Sequence, residues 1–144
     1  MADAKSDVEF LMNDMLPFAE EMLAKHGEFL PYGAALNAQG EVVSIAGYTG
    51  EEQPPSQDVI DLLRKSFIDG ARKGQFDATA LYYDVRIKTN QDETSDAVAI
   101  ELDHKDGYSV VVFFPYQIEL GVVSFGEISA QQGQNSVFQS PPNQ

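Results

Sequence analysis

The chain has 144 residues, 43% of them hydrophobic, no cysteine, and a formal net charge of −14 from 23 acidic and 9 basic residues. That size suits one domain, which buries roughly 68–70% of its unfolded surface, and the lack of cysteine excludes disulfides and thiolate metal sites. The negative charge repels nucleic-acid backbones and anionic membranes, so no nucleic-acid and no membrane partner is expected, and it favours capture of a basic protein.

No apolar run approaches the ~20 residues of a membrane span. Met1 to Asp7 is small and acidic, unlike a secretory signal. A cytoplasmic bacterial protein is the expectation.

Ser6-Asp7-Val8-Glu9 reads as a capping box opening a first helix. Val8, Leu11, Met12, Met15, Phe18, Ala19, Met22 and Leu23 recur at three and four, which is one helical face. The methionines at this spacing read as core filler. Lys25 suits the last turn and Gly27 the C′ position. Pro17 lies inside the pattern and predicts a kink or break near Leu16.

Two hairpin signatures follow, each with glycine in its turn, where a positive φ is needed. The first joins about 29–36 to 41–48 through Asn37-Ala38-Gln39-Gly40. The second joins 97–102 to 108–114 through Asp103-His104-Lys105-Asp106-Gly107. Between them, Ser56 is expected to cap a second helix over about 57–73. Its stripe is Val59, Leu62, Leu63, Phe67 and Ala71, and Gly74 ends it.

After Phe76 the period becomes two. Leu81, Tyr83, Val85 and Ile87 face one way; Tyr82, Asp84, Arg86 and Lys88 face the other. One face is therefore expected buried and one wet, with Thr89 to Asp96 a loop. Pro115 is expected to end the second hairpin's pairing, and Leu120 to Phe125 reads as a short last strand. Residues 129–144 carry no charge and are rich in Gln, Asn, Ser and Pro, so a mobile tail is expected beyond a domain of residues 1–128.

The order is α-β-β-α-β-β-β with a further strand, an α+β plan. It implies one antiparallel sheet of five or six strands with two helices, placed on one face.

Candidate chemistry is sparse. Asp103-His104-Lys105-Asp106 has oxygen and nitrogen donors but reads as an exposed turn, so no metal is expected. There is no Gly-x-Ser-x-Gly elbow, and Gly-Tyr-Thr-Gly at 47–50 is too short for a phosphate loop. No catalytic residue and no cofactor is expected. The acids do cluster. Glu41, Glu51, Glu52, Asp58 and Asp61 lie within 41–61, and Asp92, Glu93, Asp96, Glu101 and Asp103 within 92–103, neither stretch holding Lys or Arg. From these, Glu51, Glu52, Asp58, Asp92, Glu93 and Asp96 are the candidate binding acids. Tyr32 and Tyr116, each following a proline, are candidate anchors with an apolar body and a polar tip. Tyr82 and Tyr83 face opposite sides of their strand, which leaves one off the helix-covered face as an interface element.

His-Gly-Glu-Phe-Leu-Pro-Tyr-Gly-Ala at 26–34, Asn-Ala-Gln-Gly-Glu-Val at 37–42, Glu-Leu-Asp-His-Lys-Asp-Gly-Tyr at 101–108 and Phe-Phe-Pro-Tyr at 113–116 carry a resemblance over about residues 5–128. They resemble a group of small acidic bacterial α+β proteins without an established activity, which implies the fold and no catalytic residue. Size, charge and class also resemble the immunity proteins that neutralise basic toxins, and the dimeric acidic chaperones of secretion systems. The expectation is a non-enzymatic, immunity-like binding domain, monomer or homodimer, that engages a basic partner through acidic loops. The alternatives are a dimeric secretion-type chaperone, and a hydrolase-like enzyme with an Asp/His site.

Overall fold

The computed structural model describes residues 3–46, 55–89 and 92–138. It confirms the α+β class, with two helices and one antiparallel sheet, which has seven strands among the described residues where five or six were expected.

Helix α1 spans Ala4–His26. Its N-cap is Asp3, whose side chain accepts from Ser6 N at 2.8 Å, rather than Ser6 itself. The carboxylate takes an orphan amide three residues earlier than the expected box. Gly27 closes the helix with φ 76°. Pro17 lies inside the helix without ending it. Two tyrosine hydroxyls brace the surrounding turns: Tyr82 donates to Met12 O at 2.8 Å and Tyr32 to Met15 O at 2.8 Å.

Strand β1 (Tyr32–Asn37) turns into β2 (Val42–Ile45). Asn37 Oδ1 accepts from Gln39 N and Glu41 N, and Gly40 takes φ 82°. Helix α2 spans Ser56–Arg72, with Pro55 at its N-cap and no side-chain cap bond, so Ser56 is the first helical residue instead of the cap. The remaining strands are β3 (Phe76–Lys88), β4 (Thr94–His104), β5 (Ser109–Glu119), β6 (Val122–Phe125) and β7 (Ser129–Gln132). The sheet order is β2-β1-β3-β4-β5-β6, with β7 also on β5.

The two helices lie on opposite faces, not on one. Ala78, Ala80 and Tyr82 of β3 share a cluster with Val8, Leu11 and Leu23 of α1. Leu81 shares another with Val59, Leu63 and Phe67 of α2, against which Tyr83 packs. Residues 78–82 are therefore buried on both faces, and the buried/wet alternation begins only at Tyr83. Both neighbouring tyrosines are covered, Tyr82 under α1 and Tyr83 beside α2. Gly33 permits the close approach of α2: its missing Cβ is filled by the Phe67 ring.

His104 is also not exposed. It is 2% exposed, with Nε2 against Asp7 Oδ2 at 2.8 Å and Nδ1 accepting from Asp106 N at 3.0 Å. The accepted amide bond places the proton on Nε2, so the ring donates to Asp7 and ties the start of α1 to the β4–β5 turn.

The expected boundary at residue 128 does not hold over 129–138. Ser129–Gln132 pairs with Phe113–Val110 of β5, and Val137 is buried in the α2 cluster. Backbone pairing recruits this uncharged stretch without needing apolar side chains. Residues 139–144 lie outside the described residues. Among the described residues, no helix is long and apolar enough to cross a membrane.

Candidate functional site

Strand directions gather the acids. Strands β2, β3 and β5 all run toward one end of the sheet, and β3 turns there into β4. Helix α1 arrives at that end with its C-terminus, since its start is held by His104 at the other end. Helix α2 sets out from it. Gly70 lies over Phe76 and Phe67 over Gly33, so α2 runs opposite to β3.

Asp58, Asp92, Glu93 and Asp96 therefore sit at one end, together with Glu28, Asp84 and Glu119. The cations there are already matched. Lys25 pairs with Glu21 at 2.8 Å, Arg86 with Asp96 at 3.4 Å and Lys88 with Asp92 at 3.5 Å. At the opposite end Lys5, Arg72, Lys73 and Lys105 offset the acids, and Lys105 pairs with Asp77 at 3.1 Å. Crowding shows in Asp84. Burial raises its pKa above the ordinary value, the Tyr116 hydroxyl at 2.8 Å opposes this, and Asp96 and Glu28 push it further up.

The same end is split. Strands β4 and β5 pair from Asp103↔Ser109 to Ala97↔Pro115 and no further. Pro115 lacks an amide donor, and past it the chain keeps its β conformation but leaves β4. Residues Thr94–Asp96 then pair only with β3, and Tyr116–Glu119 only with β6. Pro115 thus ends the expected hairpin pairing without ending the strand. On the outer edge of β5, β6 and β7 follow one another, with one residue slipped in between and Gly126 N donating to Pro115 O at 2.7 Å.

The split opens a cleft of about 380 Å³. Its walls include Thr94 and Ser95 on one side and Tyr116 and Gln117 on the other, with Pro115 between them. Glu93 and Glu127 line it, as does Lys88, the cation already engaged by Asp92. Asp92 holds φ 62°, a left-handed conformation that tightens the turn presenting Glu93. Among the described residues these two strand edges pair with no strand across the cleft, although Asp96 O already accepts from Ser95 Oγ at 2.9 Å; rimmed by carboxylates, they suit an extended basic chain.

The candidate residues divide. Asp92, Glu93 and Asp96 share the β3–β4 turn and its flank, and Asp58 lies in the first turn of α2 at the same end. Glu51 and Glu52 lie outside the described residues. Tyr32 is not a surface anchor: it is buried, stacked on Tyr82 with centroids 4.5 Å apart. Tyr116 is buried in the α1 core but reaches the cleft wall. Sequence reading missed Asp84, Glu119 and Glu127. The signal available was Pro115 followed by the alternating Tyr116-Gln117-Ile118-Glu119, which is a strand continuing past a proline.

Comparison with protein families, with curated proteins and with solved structures finds no match.

Proposed function

We propose that the protein is a binding module that captures a basic, extended segment of another protein in the cleft between β4 and β5. The observation that carries this is the split at Pro115, which leaves Thr94–Asp96 and Tyr116–Glu119 with free edges at the acidic end of the sheet. Added strands bind through main-chain hydrogen bonds, and the rim charges steer encounter and select a cationic segment. Asp92, Glu93, Asp96, Glu119 and Glu127 supply the field, against Arg86 and Lys88, which are each paired. Rim charges act mainly on association, so the on-rate falls as salt shortens the Debye length from about 30 Å at 0.01 M to about 10 Å at 0.1 M.

The test is kinetic capture of a capped peptide of alternating lysine and valine on the immobilised protein. Glu93→Lys with Glu127→Lys slows association at least about tenfold at low salt and leaves the thermal midpoint within a few degrees, because exposed charges contribute little to stability. Association that is insensitive to both salt and charge reversal would overturn the proposal.

A further inference from the structure

A second cavity, of about 500 Å³, lies on the α2 face between α2, strands β4 and β5, and the segment 131–136. It shares no lining residue with the cleft. Small-molecule pockets run roughly 300–1,000 Å³. One polar group on its wall is already satisfied. Arg64 Nη2 donates to Glu101 Oε2 at 2.6 Å and its Nε to Oε1 at 3.3 Å, while the Tyr83 hydroxyl donates to Oε2 at 2.9 Å. Cation and carboxylate cancel there.

The second polar group does not cancel. Asp103 is 6% exposed, and its Oδ1 accepts from Ser109 Oγ at 2.8 Å. Among the described residues, neither a hydrogen bond to its Oδ2 nor a cation paired with it is present. Ser109 Oγ also accepts from Asn135 N at 2.9 Å, so Asp103 and Asn135 flank one hydroxyl. Asn135 Oδ1 is buried with no partner among the described residues, on a backbone held at φ 54°. Both open atoms are acceptors, but only Asn135 Oδ1 is sealed from water; Asp103 Oδ2 is the one open to the cavity. The remaining walls include Ile68, Val111 and Phe113.

We infer that this cavity binds a small primary amine with an apolar body, its ammonium donating to Asp103 Oδ2 and its body lying against Ile68, Val111 and Phe113. A primary ammonium brings a donor for the open carboxylate oxygen and the countercharge that the carboxylate lacks. A neutral alcohol brings one donor and no charge. Burial raises the Asp103 pKa, the Ser109 hydroxyl lowers it, Glu101 raises it and Arg64 lowers it. A bound cation would hold the carboxylate ionised.

The probe is phenethylamine at neutral pH, with 2-phenylethanol as its uncharged counterpart, followed by amide chemical shifts of the full chain. The amine is expected to give saturable shifts centred on Asp103, Ser109, Val111, Phe113 and Asn135, and the alcohol to bind at least about tenfold more weakly. Asp103→Asn keeps the Ser109 bond and removes the charge, so it weakens the amine at least about tenfold and leaves the alcohol unchanged. Should that variant fail to fold, the amine–alcohol comparison on the unaltered protein decides. Absence of saturation at about 10 mM amine, equal binding of the two compounds, or undiminished binding by a folded Asp103→Asn would overturn the inference. Shifts produced by a lysine-containing peptide but not by the free amine would overturn it as well, by giving the cavity to a partner's side chain.

Discussion

Replacing Gly33 with alanine tests the placement of α2 directly. A Cβ on Gly33 would stand 2.5 Å from Phe67 Cζ and 3.1 Å from its Cε1. Phe67 is 1% exposed and cannot swing into solvent. Overpacking of this kind costs about 1–3 kcal/mol, and removing a glycine from a strand returns about 0.5–1 kcal/mol, leaving a net loss of about 1.25 kcal/mol at the centre of both ranges. Unfolding entropy of about 2.1 cal/mol/K per residue gives about 0.3 kcal/mol/K for a chain of this length, so the melting midpoint should fall by about 4 °C. Phe67→Leu withdraws the ring, and the double variant should be less destabilised than the sum of the singles by about 1 kcal/mol. Circular dichroism melts of the four proteins complete the cycle. If α2 covered the same face as α1, Gly33 would meet no aromatic ring, and alanine would stabilise. An unchanged or raised midpoint, or strict additivity, would refute the packing argument.

Tyr82→Phe removes the hydroxyl that reaches Met12 O and opens no cavity, so it should cost about 1 kcal/mol, read as a lower urea midpoint at constant slope. Val137→Ala should cost about 1–3 kcal/mol, because this side chain is buried against α2; a midpoint equal to the parent's would show the segment detached. Asp103 sets a pH dependence. Its folded pKa is raised, chiefly by burial, so the folded state holds the proton more tightly than the unfolded one. Stability contributed by the neutral form is then present below about pH 4 and lost as pH rises through the folded pKa. Asp103→Asn should therefore raise the melting midpoint at pH 7, and the gain should vanish below about pH 4. A gain that persists in acid would exclude this cause.

Much of the fold is legible in local pattern. The Asn37–Gly40 and Asp106-Gly107 turns, the three-four period of α1 and the glycines at 27 and 74 each mark an element by chemistry confined to a few residues. What the pattern hides is which face a helix covers. Tyr82 reads onto a wet face with Asp84, Arg86 and Lys88 because tyrosine tolerates either side, and only α1 lying over it and its neighbours Ala78 and Ala80 makes them core. The tail misled for a related reason: Ser129–Gln132 joins the sheet through its backbone, which carries no composition signal.

The site was legible in part. Loop acids stand out as charge, so Asp92, Glu93 and Asp96 could be named, but their convergence with Asp58 and Glu119 depends on strand direction. Glu101 and Asp103 are visible as acids, but Asp103 reads into the turn; the strand runs on to His104, which puts both on one face. Their different fates, one cancelled by Arg64 and one left open, depend on where α2 crosses.

The most direct measurement of the binding proposal is amide hydrogen exchange with and without the capped lysine–valine peptide at low salt. The cleft predicts new protection confined to Thr94–Asp96 and Gln117–Glu119, lost at about 1 M salt, where the Debye length is about 3 Å, and lost when Glu93 and Glu127 are reversed to lysine. Protection spread over the helices, or none at these two edges while the peptide is bound, would contradict it.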